Sequence, residues 1–235
     1  MRTVTAQLPS GSKQVQAMFG RIAGRYDLLN RVLSARLDLR WRRIAVDLLP
    51  PGEGEALDLA CGTFDLGLAA LRQRRAARVH GCDFSVPMLA AGTAKRRGQP
   101  LSAAAGDALR LPYADGAFDL AMVAYGWRNF GDPLASAREL RRVLRPGGRL
   151  LILEFFRPVR WFPKLFYATF GRGVFPLAGS ILAGDRTAYR YLHDSVQGFV
   201  STAEAEAHLC EAGFVAPRWC SFSGGVSHAV AVQAL

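Results

Sequence analysis

Between residues 12 and 49 the apolar positions recur at helical spacing. Val15, Met18, Phe19 and Ile22 form one stripe; Leu28, Leu29, Val32, Leu33 and Leu37 a second; Trp41, Ile44, Ala45 and Leu48 a third. Recurrence every three to four residues marks amphipathic helices, and Pro50-Pro51-Gly52 ends this helical preface. The pattern then becomes short apolar runs alternating with helical ones. Strands are predicted over 56–60, 78–83, 101–105, 118–123 and 149–154, and helices over 66–73, 86–97 and 134–144. The turn Arg145-Pro146-Gly147-Gly148 feeds the last strand. Such alternation predicts an α/β fold whose mostly parallel sheet carries helices on both faces. Its ligand should sit beyond the carboxyl ends of the strands, where the strand order reverses.

Composition adds size and charge to this picture. At 235 residues, 50% hydrophobic and 21% charged, the chain can bury about 70% of its extended surface without disulfide or metal. A basic preface over residues 1–50 and a larger domain over 51–235, with an aromatic-rich insertion at 155–185, is the expected division. The net charge is +11, and the basic residues are three Lys (Lys13, Lys95, Lys164) and 27 Arg. That excess suits anionic partners, whether nucleic acid, acidic headgroups or a charged cofactor, and does not choose among them. Cys61, Cys82, Cys210 and Cys220 show no metal-ligand spacing, so neither zinc nor disulfides are expected, and a reducing cytoplasm is the simplest setting. The amino terminus lacks the apolar run of a signal peptide. The most apolar stretch, 165–184, is broken by Arg172, Gly171, Gly173, Pro176 and Gly179, which predicts a soluble or peripheral protein and not a spanning one.

The chemistry-bearing residues cluster at the predicted strand ends. Asp58 to Asp65 close the first strand, and Gly62 lets the backbone turn close to a ligand. Asp83 ends the second strand, at the distance where an acid accepts hydrogen bonds from ribose hydroxyls. Gly106-Asp107-Ala108 follows the third, where a carboxylate could take an adenine amino group or cap a helix. There is no GxGxxG and no P-loop. A nucleoside without phosphates points to S-adenosyl-L-methionine. Thr63, Phe84, Met88 and Ala124 join Asp58, Gly62, Asp83, Asp107 and Ala108 as candidate cofactor contacts.

Residues 53–155, with Leu144-Arg145-Pro146-Gly147-Gly148 before strand five, resemble the Rossmann-like class I S-adenosylmethionine-dependent methyltransferases. Tyr26-Asp27-Leu28-Leu29-Asn30-Arg31, Tyr125-Gly126-Trp127-Arg128-Asn129 and Tyr189-Arg190-Tyr191-Leu192 further resemble the ubiquinone/menaquinone biosynthesis C-methyltransferases, from about residue 15 to 226. The resemblance implies C-methylation of a demethylated prenyl quinol, and carries Arg128, Asn129 and Tyr26 over as the substrate-pocket residues. A ring carbon becomes nucleophilic only when a neighbouring phenol loses its proton, so the site needs a cation for the phenolate. Arg128 suits that task and is no base itself. His193 and His228 could titrate near neutrality.

Several positions depart from the family pattern: Phe64 for a glycine, Asp38 for a histidine, Ala124 for a serine, Trp127 for a leucine, Phe156 for a serine, and Ser227-His228-Ala229 at the end. Phe64 is expected where the cofactor's amino-acid end would lie. These departures leave room for a methyltransferase of a soluble phenol, amine or carbon acid, or for a non-catalytic binder if Phe64 blocks the cofactor. A nucleic-acid methyltransferase is disfavoured, since Tyr125-Gly126-Trp127 stands where a flipped base would need Asp/Asn-Pro-Pro-Tyr. The aromatic segment after strand five (Phe155, Phe156, Trp161, Phe162, Phe166, Tyr167, Phe170, Phe175) is expected to be core, a homodimer contact, or a lid for an isoprenoid tail with the basic preface facing anionic lipid.

Overall fold

In the computed structural model, which describes residues 13–169 and 186–235, the preface folds as α1 (Lys13–Ile22), a 3-10 turn (Ala23–Arg25), α2 (Tyr26–Leu33) and α3 (Leu37–Val46). There follow β1 (Glu55–Leu59), α4 (Asp65–Arg72), β2 (Arg78–Asp83), α5 (Val86–Ala91), α6 (Thr93–Arg96), β3 (Leu101–Ala105), β4 (Phe118–Ala124), α7 (Pro133–Val143) and β5 (Leu144–Glu154). The chain closes with α8 (Trp161–Phe166), α9 (Arg186–Gln197), α10 (Thr202–Glu211), β6 (Phe214–Phe222) and β7 (Ser227–Ala234). The sheet order is β3-β2-β1-β4-β5-β7-β6. β1 to β5 pair in parallel, and β7 runs antiparallel to both β5 and β6. The order reverses between β1 and β4, which puts the ligand site above the end of β1.

Two-residue alternation assigns each sheet face to its own core. Leu57, Leu59, Val123, Leu150 and Ile152 pack with α7 and α10 on one side. Ala56, Met122, Leu151 and Leu153 pack on the other with Trp41, Ala45 and Val46 of α3. The third preface helix therefore shares a core with the sheet. Of the aromatic-rich insertion, residues 170–185 (with Phe170 and Phe175) lie outside the described residues.

Two expected elements change and two strands are new. The helix over 86–97 is broken at Gly92, where a Cβ would stand 2.5 Å from Cδ2 of Phe64. The turn before strand five lies inside β5: Phe118 pairs with Leu144 and Leu120 with Arg149, so residues 145–148 loop out of the ladder. Beyond them, β6 and β7 are strands that the apolar tail did not announce. Among the described residues, no helix is long and apolar enough to cross a membrane.

Candidate active site

Three cavities meet at the ends of β1 and β4. The first, of about 250 Å³, is lined by Asp83, Phe84, Gly106, Asp107, Ala108 and Asn129, among others, and by Gln16 of α1. Asp83 is held between two backbone donors: Gly62 N–H gives to Oδ2 and Ser85 N–H to Oδ1, both at 2.8 Å. A carboxylate has about four acceptor sites, so two remain for ribose hydroxyls. Burial raises the pKa of Asp83, and the two backbone donors oppose that shift. Asp107 is exposed; its Oδ1 accepts from Leu109 N–H at 2.9 Å. Arg110 N–H returns to the Asp107 carbonyl, so this residue caps a turn and no helix, which corrects the capping alternative. Gln16 Nε2 donates to the Phe84 carbonyl at 2.6 Å and ties α1 over the cavity. Gly126 must be small, because a Cβ there would collide with Cβ of Ala60.

The second cavity is a narrow cleft of about 20 Å³ above the loop after β1, lined by Tyr26, Arg42, Asp58, Gly62, Thr63, Asp65 and Ala124, among others. Asp58 is 1% exposed; its Oδ2 accepts from Gly67 N–H at 2.9 Å. Burial raises its pKa to about 7, opposed by that hydrogen bond and by Arg42. Thr63 Oγ1 donates to Asp27 Oδ1 (2.7 Å) and receives from Lys95 Nζ (3.0 Å). Lys95 also meets Asp27 at 2.5 Å and Asp65 at 2.8 Å, and Arg31 meets Asp65 at 2.6 Å. These ion pairs latch α2 onto the loop.

Phe64 is not in this cleft. The residue takes a left-handed conformation (φ 70°) that turns its ring away from the ligand side. The ring is fully buried and fills space left by Gly81 and Gly92, where added Cβ atoms would come within 2.7 and 2.5 Å of it. The expectation that this ring obstructs the cofactor is corrected. Trp127 and Phe156 are likewise core residues, with rings edge to face at 6.2 Å; Trp127 Nε1 donates to Ser136 Oγ. Met88 packs beneath Gly62, its Cε 3.2 Å from where a Cβ would be, and lines none of the three cavities.

The third cavity, about 380 Å³, is enclosed by the preface helices, α8 and α9. Met18, Ile22, Leu33, Trp41, Phe162 and Phe166 give it greasy walls, while Tyr26, Asp38, Arg42, Tyr125, Arg128 and Tyr191 bring polar groups inward. Arg128 pairs with Glu154 at 2.6 Å, with side-chain exposures of 6% and 0%. Its Nη1 also donates to the Tyr125 carbonyl at 2.7 Å, and its Nε to Ser195 Oγ at 3.3 Å. Despite desolvation, Glu154 and nearby tyrosines raise the Arg128 pKa further, so it stays a cation. Burial raises the pKa of Tyr26, against Arg42, and the phenol stays protonated. Phe155 stacks on Tyr125 at 4.5 Å.

Of the expected trio, Tyr26 and Arg128 face this third cavity, whereas Asn129 lines the first, with Oδ1 accepting from Tyr191 Oη at 2.7 Å. Adjacent residues thus look into neighbouring chambers. His193 and His228 line neither the first nor the third cavity. Sequence reasoning missed Arg42, Tyr125 and Tyr191 as site residues. Arg42, on α3 with 6% exposure, lay among too many arginines to stand out. Ala60 (φ 53°) and Tyr125 (φ 59°) carry left-handed backbone just past β1 and at the end of β4, a strain that clusters at functional sites.

These features fit S-adenosyl-L-methionine: two open acceptor positions on Asp83 at the first cavity, and on Arg42, which lines the loop cleft, a buried Nε without a hydrogen-bond partner among the described residues. Residues 7–232 match the model of the ubiE/COQ5 methyltransferase family. The chain is similar to a demethylmenaquinone methyltransferase of Thermus thermophilus, 46% identical over 84% of this chain and 91% of that protein. It is 35% identical to a ubiquinone/menaquinone biosynthesis C-methyltransferase of Paracoccus denitrificans, over 96% and 92% of the two chains. Among solved structures, a methyltransferase from Thermotoga maritima superposes with a TM-score of 0.69 at 18% identity, covering 93% of this chain and 99% of that one. A [4+2]-cyclase does so with 0.69 at 16%, over 97% of each chain. At such identities the fold alone is shared.

Proposed function

This chain belongs to the ubiE/COQ5 methyltransferase family, and from that premise we propose that it methylates a ring carbon of a demethylated prenyl quinol, of the demethylmenaquinol or ubiquinone-precursor type. Family and fold imply S-adenosyl-L-methionine as the donor. When bound, it supplies an electrophilic methyl group and leaves as S-adenosyl-L-homocysteine. Asp83, Phe84, Asp107 and Ala108 would hold the nucleoside, and Asp58, Gly62, Thr63 and Ala124 the amino-acid end.

The observation that carries this reading is a buried, permanently charged Arg128 in the wall of a greasy cavity that adjoins the nucleoside site. A guanidinium there stabilises the phenolate that makes the ring carbon nucleophilic, in a medium where charge stabilisation is strong. Tyr26, protonated and on the same cavity, donates to a ring oxygen. The proton lost from the phenol leaves through water, and once the methyl has joined the ring carbon the proton which that carbon carried is lost by the same route, restoring the aromatic ring. Alignment of ring carbon and methyl group supplies much of the remaining rate. The apolar walls accept the first isoprene units, which a small soluble phenol would leave unfilled.

The same cavity suggests how a lipid-borne substrate arrives. On α8 and α2, whose Phe162, Phe166, Leu29 and Leu33 line it, Trp161, Leu165, Leu28 and Val32 are exposed (76%, 54%, 57% and 49%), and near them in sequence stand the exposed cations Arg160, Lys164, Arg36 and Arg40. Apolar anchors ringed by basic residues suit peripheral contact with an anionic membrane at its cytoplasmic face. Two measurements test the proposal. Quinone profiling by mass spectrometry of a strain lacking the protein should show a quinone one methyl lighter. Purified enzyme should prefer a prenylated demethylquinol to the tail-less ring; equal turnover of both would favour a soluble substrate.

A further inference from the structure

We propose that Arg42 binds the carboxylate of the cofactor's methionine end, forming with Asp58 a two-signed receptor for its zwitterion. The inference rests on the cofactor assigned above. Arg42 lines both the loop cleft and the apolar cavity, so the residue is shared by the two. Only Nη1 is committed, to Asp38 Oδ2 at 3.1 Å and more weakly to the Asp38 carbonyl at 3.5 Å. Nε is buried and without a hydrogen-bond partner among the described residues. A buried donor without a partner is costly, and a bound carboxylate would relieve it.

The surrounding charges make that role specific. Each oxygen of Asp65 already carries an ion pair, Oδ2 with Arg31 and Oδ1 with Lys95, and Lys95 is shared among Asp27, Asp65 and Thr63. The cleft groups without a partner among the described residues are Asp58 Oδ1, since only Oδ2 takes the Gly67 N–H, and Nε of Arg42, which is buried. An amino acid's ammonium suits the first and its carboxylate the second. Without Arg42, a ligand carboxylate in this cleft would lack a cation of its own, since Arg31 and Lys95 are paired to Asp65. The guanidinium is kept in place by its ion pair to Asp38 (side-chain exposures 7% and 6%) and by the face of Tyr125, 5.0 Å from its Cζ. Asp38, which replaces the family's histidine, is itself fixed by Arg31 at 2.7 Å and by Ser34 Oγ at 2.8 Å.

Calorimetry with two ligands tests this: S-adenosyl-L-homocysteine and its decarboxylated counterpart, each titrated into wild type, Arg42→Gln and Arg42→Lys. A buried charge-assisted contact makes wild type prefer the carboxylated ligand by about 10- to 100-fold. Arg42→Gln should bind the two ligands within about threefold of each other, and Arg42→Lys should keep part of the preference. A folded Arg42→Gln that retains the wild-type preference overturns the assignment. So does an Arg42→Gln that weakens quinol KM while leaving S-adenosyl-L-homocysteine affinity untouched, since Arg42 would then serve the substrate. Should Arg42→Gln not fold, wild type decides: indifference to the carboxylate overturns the proposal. Wild type binding neither ligand would sink the cofactor reading itself, a result distinct from failure of Arg42 alone.

Discussion

Arg128 Nη1 lies 2.6 Å from Glu154 Oε1, an ion pair closed off from solvent on both sides. Glu154 also accepts from the backbone N–H groups of Arg128 (3.2 Å) and Phe155 (2.7 Å), so the carboxylate anchors the loop after β4 and not the side chain alone. The arginine proposed to hold the phenolate is thereby also a structural residue, and its variants must be read for both effects.

Removing the guanidinium strands a buried carboxylate, which costs about 3–5 kcal/mol. Arg128→Ala should lose stability on that scale in urea denaturation. Arg128→Ala combined with Glu154→Gln should recover at least half of it while methylation stays abolished. If activity returns along with stability, Arg128 holds the fold and does not hold the phenolate.

Phe64→Gly restores the family residue and should nonetheless destabilise. Emptying a buried phenylalanine site costs about 3–5 kcal/mol, whereas relief of left-handed strain returns only about 1–2. A net loss of about 1–4 kcal/mol follows, with S-adenosyl-L-homocysteine affinity changed by less than about threefold. A large gain in affinity would mean that the ring does obstruct the cleft.

Asp58 titrates at about 7 in the folded protein against an ordinary 3.8. Its folded pKa is raised, so its contribution to stability is complete below the unfolded value and is lost as pH climbs from about 4 to about 7. A ligand ammonium favours the ionised form. Cofactor binding at about pH 6 should therefore release close to one proton, read by calorimetry in buffers of differing ionisation heat. Asp58→Asn, which can still accept from Gly67 N–H, should bind without that proton release.

The Lys95 contacts close α2 over the loop cleft. Lys95→Met should speed cofactor dissociation by about three- to tenfold in stopped-flow measurements, the scale of partly exposed ion pairs acting together. Raising the salt concentration should speed wild-type release in the same direction. Unchanged rates in both would show that the latch plays no part in ligand exchange.

Vesicle binding should depend on both the exposed apolar residues of α8 and the exposed arginines of the preface. Replacing Trp161 and Leu165 with serine, or Arg36 and Arg40 with glutamate, should each weaken binding to anionic vesicles by about tenfold or more. Neutral vesicles should respond only to the first pair. Equal binding of all variants would remove the membrane from the account.

Local pattern determined the five parallel strands, the helices between them and the acids at the strand ends, because these depend on periodicities of two and 3.6 residues and on which residues end a strand. Asp58, Asp83 and Asp107 stand where their spacing put them. The sequence also carried the family's Tyr26 and Arg128, whose neighbours along the chain are distinctive. Tertiary structure alone decided which way side chains turn. Phe64 is read from sequence as an obstruction, yet its left-handed backbone sends the ring into space vacated by Gly81 and Gly92, residues 17 and 28 positions away. Trp127 and Phe156 look like changes to the site and are partners in the core. Arg42 is one arginine among 27 until α3 packs on the sheet and places its charge between two chambers. Direction, burial and the meeting of distant charges are properties of the packed chain, and no local pattern encodes them.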